Sequence, residues 1–207
     1  MPARLRPTAP IAAEAILVGD PGRALILAQE LLQQPKMSNH ARGLWGYTGV
    51  THAGDELTIQ STGMGGPSAT VVLHDLAELG VRRAVRIGTC TSLGELELGQ
   101  VVKVTEARAS NGEVATPSLE LPELGAARAG SIVSLDILHR HAPQKETGAD
   151  GADMQTAALF AAAGRLDVAV AALLIVAETA GGQQLGDEEL EAAAKSAGQV
   201  AAAILST

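Results

Sequence analysis

The sequence predicts an α/β domain, and three observations predict it. Short apolar runs of β type alternate along the chain with segments of helical period. Several of those runs end in glycine, as strands do beneath the ligand crevice of open α/β sheets. The 46% of apolar residues are almost all Ala, Val, Leu and Ile, with Trp45, Tyr47 and Phe160 as the aromatic residues. At 207 residues the chain is long enough to bury a core unaided and reads as one domain, 1–207, without a linker or internal repeat.

The first apolar run, 15–18, is a strand stopped by Gly19-Asp20-Pro21-Gly22. Pro21 and Gly22 open a helix to about Gln34, with Ala24, Leu27, Ala28 and Leu31 on one face. Segments 45–50 and 56–61 flank His52-Ala53-Gly54-Asp55 and form a hairpin. Gly63-Met64-Gly65-Gly66-Pro67-Ser68 leads into a second helix, on which Ala69, Val72, Leu73, Leu76 and Leu79 recur at three and four; Gly80 caps it. Segments 84–87, 101–105 and 132–135 are strands. The polar stretches 106–130 and 139–151 have no convincing period and read as loops. An Ala-rich helix, 154–166, a buried strand, 168–176, and a last helix N-capped by Asp187 complete the chain.

Charge and composition exclude several functions. Fifteen Lys and Arg against 23 Asp and Glu leave a net charge of −8. With neither a basic footprint nor stacking aromatics, nucleic acid is a poor partner. One cysteine, Cys90, excludes an internal disulfide framework and a multi-cysteine metal site; it reads as a packed thiol. His40, His52, His74, His139 and His141 lack metal-ligand spacing, so no metal is expected. The basic amino end has its apolar run broken by Asp20 and Pro21, and no stretch reaches the roughly 20 apolar residues of a membrane span. The expectation is a cytoplasmic protein with no membrane partner.

Three glycine-bearing strand ends carry the chemistry: Val18-Gly19-Asp20-Pro21-Gly22-Arg23, Ser61-Thr62-Gly63-Met64-Gly65-Gly66 and Arg86-Ile87-Gly88-Thr89. Glycines there let backbone N–H groups approach an anion, and a following helix adds its dipole. Arg23, Arg86 and Arg42 offer guanidinium forks suited to phosphate oxygens. Each segment alone reads more readily as a turn with a solvated arginine; together they favour a small anionic ligand.

These segments, with Arg42-Gly43-Leu44-Trp45-Gly46-Tyr47-Thr48-Gly49 between them, resemble in content and order the nucleoside phosphorylase family, which holds hexameric purine nucleoside phosphorylases and uridine phosphorylases. The likeness spans about the first 105 residues and resumes from Ser134 to Glu178. It implies a central mixed, barrel-like β-sheet flanked by helices. It also implies phosphorolysis: inorganic phosphate attacks C1′ of a nucleoside through an oxocarbenium-like state, giving ribose 1-phosphate and free base. Phosphate is then a co-substrate, and no cofactor is expected. By the resemblance Gly19, Arg23, Arg86 and Thr89 hold phosphate, joined by Arg42 from a neighbouring subunit of a dimer-based homo-oligomer, up to a hexamer. Met64, Met154 and Gln155 would meet the ribose, Leu138 and Glu178 the base, and Glu178 with Arg86 would be catalytic. The motif Arg-Ile-Gly-Thr leans toward uridine phosphorylase; Glu178 stands where the purine enzymes place a general-acid aspartate that uridine phosphorylases lack, and it does not choose the base alone.

The sugar and base half departs from the family pattern. Asp153-Met154-Gln155 stands where relatives have Glu-Met-Glu, and losing a charged hydrogen-bond acceptor costs roughly 1.5–3 kcal/mol, about one to two decades of rate. Ser134-Leu135-Asp136-Ile137-Leu138 has a leucine where relatives stack an aromatic ring. The amino-terminal histidine of many relatives is replaced by Arg4-Leu5-Arg6, and the segment between Glu106 and Met154 is short. Met154 is equally a core residue, Glu178 equally a loop carboxylate, and Trp45 and Tyr47 equally core or interface anchors. A phosphate-binding homologue with little catalysis is therefore the alternative; a hydrolytic nucleosidase, which has no need of an arginine cradle, is the third reading.

Overall fold

A computed structural model describes residues 4–125, 127–137 and 148–206. Its elements are β1 (Glu14–Val18), α1 (Pro21–Leu31), β2 (Leu32–Asn39), β3 (Gly46–Thr51), β4 (Glu56–Ser61), α2 (Gly66–Glu78), β5 (Arg83–Ser92), β6 (Val101–Ala109), β7 (Val114–Ala115), β8 (Ala127–Ser134), β9 (Gly151–Asp153), α3 (Thr156–Leu166), β10 (Ala169–Thr179) and α4 (Asp187–Leu205). A single turn of 3₁₀ helix, Ala41–Gly43, links β2 to β3.

The strands pair in the order β10-β6-β8-β9-β5-β1-β4-β3-β2, and β10 also pairs with β5. That extra pairing closes β5, β10, β6, β8 and β9 into a five-stranded barrel, from which β1, β4, β3 and β2 extend as a wing. The sheet is mixed, with β1, β4, β5 and β10 mutually parallel and β6 and β9 running against their neighbours β10 and β5. The expected barrel-like mixed sheet is thus present.

The apolar runs are unbroken because the central strands are covered on both faces. Ala15 and Leu17 of β1 pack on one side with Val72, Leu73 and Leu76 of α2 and Leu159 and Phe160 of α3. Ile16 and Val18 point the other way, into Leu27 and Ala28 of α1 and Ala197 and Ala201 of α4. Strand β10 divides alike, Leu174 and Val176 to the first side, Leu173 and Ile175 to the second. Tyr47 is buried in the second cluster and Trp45 packs against it, so this aromatic pair serves the core.

Several expected boundaries are corrected. Helix α1 ends at Leu31 rather than near Gln34, because Gln34 takes a positive φ of 46° ahead of Pro35. The chain continues as β2, whose polar sequence gives no alternation to read. It lies at the sheet's edge, where a proline and a register shift between Gln33 and Lys36 are tolerated. The stretch 106–130 is not all loop: β6 runs to Ala109, β7 follows and β8 begins at Ala127. Gly186, not Asp187, caps α4; Asp187 opens the helix, and the Glu189 carboxylate accepts from the Gly186 N–H at 3.3 Å.

Helices α2 and α3 cross where Gly66 faces Ala158, and a Cβ on Gly66 would lie 2.9 Å from the Ala158 Cβ. Neither methyl can turn aside, so Gly66→Ala should destabilise the fold by about 1–3 kcal/mol. Urea unfolding checks this through a lowered midpoint at unchanged slope.

Candidate active site

Since β1, β4, β5 and β10 are parallel, their carboxyl ends bring residues 18–19, 61–63, 88–92 and 176–179 to one edge. The site lies there. At the end of β1, Asp20 caps α1: its two carboxylate oxygens accept from the Gly22 and Arg23 N–H groups at 3.2 and 3.0 Å. Pro21 has no N–H, so the first donors of α1 are occupied and the helix terminus is not the anion's seat. What α1 offers instead is the Arg23 side chain. Its guanidinium is half-buried and donates to none of the described residues. Burial lowers its pKa from the ordinary value, the Asp20 carboxylate opposes this, and the positive charge of Arg86 adds to the lowering. Arg23 and Arg86 therefore lie within Coulombic reach of each other.

Arg86 is 4% exposed and belongs to the β5 face that meets α3. Its Nη2 donates to Asp153 Oδ2 at 3.0 Å, its Nη1 to Gln155 Oε1 at 2.6 Å and its Nε to Thr156 Oγ1 at 3.2 Å. Three of its five N–H groups are so engaged, leaving two for a ligand. The guanidinium folds back over Gly88, two residues on along the same strand face. A Cβ on Gly88 would lie 2.6 Å from Arg86 Nη2. The Arg-Ile-Gly-Thr motif thus has a steric reason: the arginine needs the glycine's empty side.

Asp153 serves as counter-ion and helix cap at once. Its carboxylate accepts from Ser134 Oγ at 2.5 Å, from Thr156 Oγ1 at 2.6 Å and from the Thr156 N–H at 3.1 Å. Ser134 Oγ in turn accepts the Ala157 N–H at 2.9 Å, so the amides at the start of α3 are satisfied.

Gln155 stands between this node and the glycine turn. Its Oε1 accepts from Arg86 and from Thr62 Oγ1 at 3.2 Å, and its Nε2 donates to the carbonyls of Gly63 at 2.6 Å and Gly65 at 3.4 Å. Expected at the ribose, Gln155 is 3% exposed with all its hydrogen-bonding capacity taken by protein groups. Gly63 and Gly65 take positive φ of 71° and 81°, which the turn requires. Gly19 faces the same corner, where a Cβ would lie 3.5 Å from Gly63 O and 3.9 Å from Gln155 Oε1.

The remaining expected residues scatter around this centre. Thr89 is half-buried on β5. Met64, at the tip of the glycine turn, is 86% exposed. Met154 lines a separate hollow of about 460 Å³ with Ser134, Leu135, Ala157 and Ala158. Glu178 follows a β-bulge at Ala177, lies opposite Thr91 of β5 and is half-buried. Arg42 is exposed in the 3₁₀ turn at a φ of 61°, a left-handed conformation uncommon for arginine. Leu138 lies outside the described residues. Burial pushes the Cys90 thiol up to about 12, helped by the Asp153 charge against that of Arg86, so it carries no nucleophilic thiolate. Among the described residues no cluster of His, Cys, Asp and Glu could hold a metal ion, and no helix is long and apolar enough to cross a membrane.

Asp153, Ser134, Thr156 and Thr62 were not expected as site residues. The Asp-x-x-Thr spacing just before the Ala-rich helix was the available signal, because it is a capping pattern. Nothing in the sequence showed that the same carboxylate would meet Arg86.

Known proteins similar in sequence and fold identify the family. Residues 14–141 match the family model of the phosphorylase superfamily. The purine nucleoside phosphorylase DeoD-type of Clostridium beijerinckii is 30% identical over 198 residues, covering 83% of each chain. That of Alkaliphilus metalliredigens is 28% identical over 206 residues, covering 86% of this chain and 88% of the relative. A crystal structure of uridine phosphorylase from Vibrio fischeri superimposes with a TM-score of 0.80 at 22% identity, over 95% of this chain and 92% of that one. The chain belongs to the phosphorylase superfamily.

If Gly88 exists to make room for Arg86, Gly88→Ala should displace the guanidinium and weaken sulfate binding about tenfold or more. Titration calorimetry on the folded variant checks this, with wild-type affinity as the contrary result.

Proposed function

We propose that the chain is a nucleoside phosphorylase, which cleaves the N-glycosidic bond of uridine or a purine nucleoside with inorganic phosphate. One observation carries the reading: two guanidinium groups, Arg23 and Arg86, lie within Coulombic reach of each other at a glycine-lined strand edge, and Arg23 has no hydrogen-bonding partner among the described residues. Arg86 is already paired with Asp153, whereas the half-buried Arg23 guanidinium makes no hydrogen bond to a described residue, and an anion reaching both would supply its acceptor. Membership of the superfamily and the names of its relatives support phosphate as that anion and a nucleoside as its partner.

In this reading Arg23, the two open N–H groups of Arg86, Thr89 and the Gly19 backbone bind phosphate. Holding the dianion at one place converts a bimolecular attack into a local one. An oxygen of phosphate attacks C1′ as the bond to the base breaks; the sugar passes through an oxocarbenium-like state whose positive charge the phosphate itself offsets. Glu178 supplies a proton to a departing purine. Met64 covers the sugar, and Arg42, exposed in its strained turn, completes the cradle of a second copy in a homo-oligomer. The reaction needs no cofactor beyond the phosphate, and its substrates are those of the cytoplasm.

A second reading is favoured by one specific observation, the full engagement of Gln155. A chain whose ribose-side amide is already bonded to Arg86, Thr62, Gly63 and Gly65 is suited to bind phosphate while turning over little nucleoside.

Base release from uridine, inosine and adenosine, measured with and without phosphate, separates the two. Phosphate-dependent release supports the phosphorylase; phosphate binding by calorimetry without release from any of the three supports the second reading. For an active chain, Arg23→Ala should lower kcat/KM for phosphate by about 10- to 100-fold, the loss of one charged hydrogen-bonding group. An unchanged value would remove Arg23 from the cradle.

A further inference from the structure

We propose that Gln155 is a positioning residue for the anion site, a clamp that fixes Arg86 and the glycine turn together through a neutral amide. The proposal rests on the phosphate-cradle reading above and concerns how that cradle is held. Gln155 is the residue at which three separate chain segments meet. Its Oε1 faces two donors, Arg86 Nη1 and Thr62 Oγ1, and its Nε2 faces two acceptors, the carbonyls of Gly63 and Gly65. The amide orientation is set by that arrangement, since reversing it would put N–H against N–H and oxygen against oxygen. The groups it joins cannot move independently. Arg86 carries the charge for the anion, and Gly63 O lies 3.5 Å from the place of a Cβ on Gly19.

A carboxylate of the same shape could not do this. It would accept from Arg86 and Thr62, but it has no hydrogen for Gly63 O or Gly65 O and would press a lone pair against both. It would also set a second negative charge beside Arg86, which Asp153 already pairs at 3.0 Å, and so offset the positive charge offered to an anion. Among the described residues the ionisable groups of this corner are Arg86 and Cys90 on β5, Asp153 on β9, Arg23 on α1 and Asp20 at its cap. Among the uncharged side chains only an amide both accepts and donates twice, which is what this position demands. The glutamine is therefore a working part of the cradle, placed to aim Arg86 without adding a second negative charge beside it and to keep the turn closed beneath it.

The test is sulfate binding by titration calorimetry at pH 8, where sulfate has a single charge state. Wild type, Gln155→Glu and Gln155→Met are compared, each first checked for cooperative thermal unfolding. At pH 8 Gln155→Glu should bind at least tenfold more weakly than wild type. Gln155→Met, which fills the space without hydrogen bonds or charge, should bind more weakly than wild type but more tightly than Gln155→Glu, whatever the order of their unfolding temperatures. Wild-type affinity in both variants, or losses that simply follow their loss of thermal stability, overturns the clamp. Absence of sulfate binding by the wild type itself overturns the cradle, and the clamp with it. Wild-type binding with unaffected variants overturns the clamp alone.

Discussion

The pairing of Arg86 with Asp153 is the constraint on which the carboxyl edge of the barrel depends. Two opposite charges, 4% and 2% exposed, are held 3.0 Å apart with hydrogen bonds on every side. Such a pair contributes little net stability, yet removing one member strands a buried charge at a cost of about 3–5 kcal/mol. Because Asp153 also receives the first amide of α3, the position of that helix and the aim of the arginine are a single geometric fact. The guanidinium has lost its rotamer freedom during folding, so a ligand meeting its open N–H groups does not have to order it.

The other half of the cradle is held differently. Arg23 is fixed at its backbone by the Asp20 cap, but its guanidinium has no protein partner among the described residues. Arg42 sits in an exposed turn whose backbone is strained at one residue. In the proposed reading an anion would thus meet one rigid cation, Arg86, and draw in the softer Arg23, while Arg42 would serve a second copy. This division explains why Gly88 must be bare while Gly43, next to Arg42, has nothing within 4 Å of its missing Cβ.

Much of the fold was legible because β1, β5 and β10 are covered on both faces and therefore appear as continuous apolar runs. Edge strand β2 was not legible: Gln33, Gln34 and Lys36 face solvent, its apolar Met37 is exposed while the polar Ser38 and Asn39 are buried, and Pro35 argued against any strand. The Gly-x-x-x-Arg and Arg-x-Gly-Thr strand ends were readable only together as a candidate anion site, since each alone is also a turn with a solvated arginine. What could not be read was the far side of Arg86. Ser134, Asp153 and Thr156 lie between 48 and 70 positions along the chain from it, and no local pattern reports a contact that only barrel closure creates. Gln155 shows the same limit. As a substitution in a ribose motif it read as a lost charge, whereas the folded chain makes it the joint between Arg86 and the glycine turn.

A crystal structure of the chain grown at saturating sulfate tests the central claim most directly. The account predicts one tetrahedral oxyanion bonded to Arg23 and to the open N–H groups of Arg86, with the Arg86–Asp153 pair and the bond from Gln155 to Gly63 unchanged. An empty edge with Arg23 turned into solvent, or an Arg86 that leaves Asp153, would contradict it.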